Sequence, residues 1–273
     1  MIKFLKISHL LSLDVVLGAM ISNIMFWKLN NSNTEIPKEV VIILGLSVWI
    51  IYILDRILDN KNSTLIATER HLFHQKYQSI LWLCITLSAI VCAVLVFYIP
   101  EKIIYLGLTT ALLTGIYLLL ITKFIPKKSF QHYKEPIIAL VYTAGVWGTA
   151  NTQQYTIISM TAGGIFLLIA FQNLLLFSIS EFKNDNNFQN IASKLGIKKS
   201  TFLFYLLSVM ILSLSLYGTS ILSSDYPQKV FIIEISMSLI LGFIHHFSHF
   251  FLINERYRWV GDGIFLLPLF IIL

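Results

Sequence analysis

Residues 157–180 read IISMTAGGIFLLIAFQNLLLFSIS, and residues 181–185 continue EFKND. The first stretch carries no charge and, at about 1.5 Å per helical residue, is long enough to cross a hydrocarbon layer about 30 Å thick. The second turns polar at once, with Glu181 and Asp185 four residues apart. An apolar run that ends in an acidic turn predicts a helix crossing lipid and emerging at a charged interface. Composition agrees: 56% of the 273 residues are hydrophobic and only 12% are charged, about half the charge of an ordinary globular chain. One soluble core cannot hide that much apolar surface.

Comparable apolar stretches fall at roughly 10–27, 40–58, 79–99, 102–122, 136–152, 200–222, 229–253 and 259–273. With 157–180 they make nine expected spans in a single all-α, polytopic domain over residues 1–273. The first stretch follows Lys3 and Lys6 without a small-residue cleavage site, so it reads as a retained helix. Nine spans divide the connecting segments into two alternating sets. One set holds sixteen of the 20 Lys and Arg residues, from Lys3 and Lys6 through Arg56, Arg70, Lys123 and Lys183 to Arg256 and Arg258. The other holds Lys28, Lys38, Lys102 and Lys229. The positive-inside rule makes the first set cytoplasmic and the N-terminus with it, and the location an inner, cytoplasmic membrane. A net charge of +6 then reports topology and lipid contact, and nucleic acid is not an expected partner. Cys84 and Cys92 lie within one apolar segment and read as packing residues.

The second span ends as Trp49-Ile-Ile-Tyr52-Ile-Leu-Asp55-Arg-Ile-Leu-Asp59-Asn60, which puts Asp55 and Asp59 on one helical face. Ionised groups beside hydrocarbon are costly and line a cavity, meet a counter-charge or mark a helix end in water. Glu181 and Asp185 repeat the spacing and emerge on the same membrane side. Two such pairs facing each other supply the hard oxygen ligands that hold magnesium on a diphosphate.

On these motifs the chain resembles the UbiA superfamily of intramembrane prenyltransferases. That family has nine helices, an Asn-Asp-x-x-Asp-x-x-x-Asp motif at the second and an Asp-x-x-x-Asp motif after the sixth. Asp55 and Asp59 match the last two acids of the first motif, and Glu181 and Asp185 match the second. Asn190-Ile-Ala-Ser-Lys-Leu-Gly196 looks like the family's segment downstream of the second motif. Ile51-Tyr52 stands where the family has Asn-Asp, and no Tyr-x-x-x-Lys follows the fourth helix: Tyr117 is followed four later by Ile121. The resemblance implies a nine-helix UbiA-like bundle that transfers a prenyl group from a polyprenyl diphosphate to a small, often aromatic acceptor. It implies Mg2+ held by Asp55, Asp59, Glu181 and Asp185 as catalytic and metal-binding residues. Arg70, Lys123, Asn173 and Tyr52 are the expected substrate-binding residues, with membrane lipid as the surrounding partner. The missing Asn-Asp pair motivates an alternative, a catalytically impaired member that binds a lipid or a protein.

Further polar residues are less specific. His71 and His74, and His245, His246 and His249, lack the acidic or thiolate company of a zinc motif and read as polar packing, interfacial anchors or cavity lining. Asp14 and Asp262 fall near helix ends and read as hydrated. Asn23 and Asn173 lie deeper, where an amide either bonds across helices or faces a polar cleft.

Overall fold

The computed structural model describes residues 7–30, 35–62, 69–119, 134–152, 155–185, 189–221 and 225–273, apart from the side chains of 59–62, 69–71, 118 and 119. All regular structure among them is helical. The long helices are α1 (Leu13–Asn30) and α2 (Lys38–Asn62), then, after the short α3 (Glu69–Lys76), α4 (Gln78–Leu95) and α5 (Glu101–Leu119). Next come α6 (Lys134–Thr143), α7 (Ile157–Asn184), the short α8 (Ile191–Leu195), α9 (Ile197–Ile221) and α10 (Asp225–His246). The chain closes with α11 (Ser248–Leu252), α12 (Arg256–Gly263) and α13 (Leu269–Ile272).

Five described segments are long and apolar enough to cross a membrane: Lys38–Leu58, Gln78–Tyr98, Ile157–Asn184, Ile197–Ser220 and Asp225–His246. The other expected spans take different forms. Asp14, Asn23 and Lys28 dilute α1. The expected eighth span, already counted as Asp225–His246, ends short at Phe247, ahead of α11, and the expected ninth is α12, a 3₁₀ turn at Ile264–Leu266 and α13. Residues 144–148 continue α6 as a π-turn, which Thr149–Asn151 extends.

Burial separates axle from rim. In α7, 72% of the apolar window is buried, against 11% in Gln78–Tyr98 of α4, so α7 is the central helix and α4 turns most of its side chains outward. α7 packs on α6, α9 and α10, while α1 packs on α2, the π-turn and the Ile264–Leu266 turn. Phe26, Phe166, Phe204 and Phe231 fill the core, whereas Leu83, Phe97, Leu112 and Phe202 lie exposed on the perimeter. Such an outer surface is stable only against an apolar medium.

With lipid outside, helix association relies on close approach and interhelical hydrogen bonds. Gly163 supplies the first: a Cβ there would lie 2.5 Å from the Trp147 ring, whose Nε1 donates to the Ser159 carbonyl at 2.8 Å. Gln172 supplies the second, donating to Ser208 Oγ of α9 at 2.7 Å and accepting from Ser238 Oγ of α10 at 2.9 Å. Within the π-turn, Asn23 of α1 donates to the Val146 carbonyl at 2.6 Å and to Thr149 Oγ1 at 2.9 Å.

Candidate functional site

The charged ends of α2, α6, α7 and α12 meet at one end of the bundle. Asp55 accepts both its hydrogen bonds from Lys134 Nζ, at 2.9 and 3.0 Å. The adjacent Glu135 reaches the other way, accepting from the Ile191 backbone N–H at 3.1 Å. Asn190 caps α8 with a reciprocal Asn190–Ser193 box and donates to the Ser178 carbonyl at 3.0 Å, folding the chain back onto the end of α7. Gly196, at φ 80°, is the left-handed residue that lets α9 follow directly. Glu181 on α7 pairs with Arg258 of α12, whose guanidinium is 8% exposed, and takes a longer bond from Asn190 at 3.4 Å. Lys134 and Glu135 thus tie the Asp55 side to the Glu181 side.

Burial pulls the Glu135 carboxyl above its ordinary range despite the Ile191 hydrogen bond. Burial also acts against the charge on Arg258, but the neighbouring Tyr257, Glu181 and Glu255 outweigh it and hold the guanidinium protonated.

Beside these pairs lies a small, half-open pocket lined by Tyr52, Ile138, Tyr142, Asn173, Leu174, Asp262 and Phe265 among others. Its aromatic wall is a cluster: Tyr142 stacks on Phe166 at 5.9 Å and meets Phe265 edge-on at 5.3 Å. Asn173 Nδ2 points at Asp262 Oδ1 at 3.5 Å. The Asn173 Oδ1 and the Tyr142 hydroxyl are buried without a partner among the described residues.

The first helix completes this end. A one-turn helix over residues 7–10 stops at Ser12, whose φ of 55° is rare for a residue with a side chain. The turn brings His9 Nδ1 to 2.5 Å from Asp14 Oδ2, and Trp49 Nε1 of α2 clamps the turn by donating to the Leu11 carbonyl at 3.1 Å. His9 stacks on Trp259 of α12 at 4.5 Å, one helical turn before Asp262. Asn254 and Glu255, at φ 54° and 53°, make a second left-handed turn that sets the start of α12. Backbone strain of this kind costs about 1–3 kcal/mol per residue and persists where packing over-determines it. Here both strained turns lead into the charged end.

Four of the expected site residues are placed with their partners. Asp55 and Glu181 each meet a cation, while Tyr52 and Asn173 line the pocket. Asp185 ends α7 with its backbone N–H on the Glu181 carbonyl. Asp59 lies within α2 and Arg70 within α3, but their side chains, like the whole of Lys123, are outside the described residues. Sequence reasoning passed over His9 and took Asp262 for a hydrated end, yet Asp262 is 9% exposed. The signal was present in Gly261-Asp262-Gly263: a Cβ on Gly261 would lie 2.7 Å from Asn173 Oδ1, so glycine is what lets α12 close on α7. His245 stacks on Phe204 at 4.7 Å and meets the Tyr205 hydroxyl at 3.2 Å, as a packed histidine does.

No family model, curated protein or solved structure matches the chain.

Proposed function

We propose that the chain is a UbiA-like intramembrane prenyltransferase, moving a prenyl group from a polyprenyl diphosphate to a small acceptor, often aromatic. The supporting observation is the pairing of an apolar, aromatic pocket with a charged rim: Tyr142, Leu174 and Phe265 on one side, Asp55–Lys134 and Glu181–Arg258 on the other. A prenyl diphosphate is divided in the same way. In this reading the reacting isoprene unit lies against the aromatic lining, and the rest of the tail passes between helices into lipid.

The chemistry of the expected ligands suits magnesium. Asp55, Asp59, Glu181 and Asp185 offer hard oxygens, and Asp55 and Glu181 each keep carboxylate lone pairs beyond those their cation uses. The ion, when bound, neutralises the diphosphate and orients its oxygens. Lys134 and Arg258 neutralise the carboxylates in the free protein and can exchange them for phosphate oxygens, Arg258 through its planar fork. The allylic C–O bond breaks with its electron pair leaving on the diphosphate. Tyr142 and Phe265 present π-faces to the resulting cation, until the acceptor supplies an electron pair and releases a proton. Tyr52, at the position of the family's first-motif aspartate, offers a phenol where a carboxylate is expected.

In this reading the bundle has nine spans in an inner, cytoplasmic membrane, with the N-terminus and the charged rim facing the cytoplasm. The uneven placement of Lys and Arg supports that orientation. A second reading, a catalytically impaired protein that binds a lipid or a protein partner, draws on the neutralised state of Asp55 and Glu181. Calorimetric titration with a non-ionisable prenyl thiodiphosphate separates the two. The transferase reading expects binding that requires Mg2+ and weakens more than about tenfold in Glu181→Gln. Equal, magnesium-independent binding in both proteins would remove it and leave the second.

A further inference from the structure

We propose that His9, Asp14 and Asp262 form a binding site for a divalent transition-metal ion such as Zn2+, separate from the carboxylates of the proposed prenyl-transfer site. His9 and Asp14, five residues apart at the N-terminal turn, meet Asp262 of α12 from the other end of the sequence, with one ligand atom from each within 4.8 Å of the others. Ligand atoms about 2.1 Å from a common ion lie about 3.4 Å apart in a tetrahedron, so small side-chain rotations complete the site.

Each ligand is already held in place. The His9 ring is fixed by its stack on Trp259, and Asp14 is anchored at the first turn of α1, its Oδ1 accepting from the Val15 N–H at 3.0 Å. Asp262 is fixed by Asn173 Nδ2. Supporting partners of this kind orient metal ligands and tune their basicity.

Asn173 is 3% exposed, its Oδ1 has no partner among the described residues, and it lines the pocket that Asp262 also lines. A buried carbonyl oxygen costs free energy unless something meets it. Two carboxylates this close, largely withdrawn from water, also call for a positive charge between them. The His9–Asp14 hydrogen bond supplies at most a proton, which a metal ion displaces as it binds. Imidazole among the ligands favours Zn2+ over Mg2+, which prefers an all-oxygen shell, and Mn2+ serves as the weaker-binding paramagnetic probe.

Full-length protein in detergent, stripped with chelator and loaded with Mn2+, tests this by electron spin-echo spectroscopy, which detects imidazole nitrogen coupled to the ion. Nitrogen coupling is expected in the wild type and in Asp55→Asn/Glu181→Gln, with Zn2+ displacing the Mn2+. The coupling is expected to vanish in His9→Gln, and affinity to fall more than about tenfold in Asp262→Asn. Wild-type protein that binds neither Zn2+ nor Mn2+, or binds Mn2+ without nitrogen coupling, would overturn the site whatever the variants do. Coupling that survives in His9→Gln would overturn it too. Neither result depends on prenyl transfer, which the thiodiphosphate titration judges separately.

Discussion

Arg258 is a buried cation whose Glu181 partner is only one-fifth exposed. Removing one member of such a pair leaves the other charge stranded, which costs about 3–5 kcal/mol when burial is complete. Discounted for the water that reaches Glu181, Arg258→Met is expected to cost about 2–3 kcal/mol, read as a lower melting temperature in detergent. Adding Glu181→Gln is expected to recover part of the loss, and a double-mutant cycle with no coupling would contradict the pair. Glu135 makes the opposite case. Its raised pKa means that the folded state binds the proton more tightly than the unfolded state. The stability it contributes is therefore full below the ordinary carboxylate range and is lost as pH rises from there through the folded value. Glu135→Gln keeps an acceptor for Ile191, so its melting curve is expected to match the wild type near about pH 4 and to lie above it near about pH 8. A constant gap across that range would contradict the sign. At this scale the sequence exposed the acids but not their partners. Spacing places Asp55 and Asp59 on one face, whereas the pairing of Asp55 with Lys134 joins residues 79 apart and depends on packing.

Between elements, the telling features are interruptions. At the π-turn of 144–148, Asn23 donates to the Val146 carbonyl and to Thr149 within the bundle. Asn23→Leu removes both bonds where water is scarce, an expected loss of about 1–2 kcal/mol. Thermal unfolding in detergent measures it, and a neutral outcome would mean that the carbonyl finds another donor. The two alternatives that sequence left open for the deep amides thus divide: Asn23 bonds across helices and Asn173 borders the pocket. Hydropathy located the apolar segments because helix length and lipid thickness are matched quantities. It missed the breaks at Phe247 and after Gly263, because a distorted turn or a 3₁₀ turn leaves an apolar run just as apolar. It missed α3 for the complementary reason: a short helix with charged residues has no apolar run to betray it.

The whole molecule is an all-helical bundle with five described segments able to cross a membrane, an apolar perimeter and a charged end. Composition alone made the membrane legible, since so little charge over so long a chain leaves lipid as the natural solvent. The gathering of His9, Asp14 and Asp262 was not legible, because it arises from the first and last helices closing on each other through Trp259 and His9. The proposed activity depends on the charged rim acting as one site. Its most direct test is turnover of labelled prenyl diphosphates by purified protein with Mg2+, comparing the wild type with Asp59→Ala, Asp55→Asn and Glu181→Gln. The account predicts magnesium-dependent release of diphosphate and labelled product by the wild type, reduced about 100-fold or more in each variant. Equal turnover in wild type and variants would contradict it.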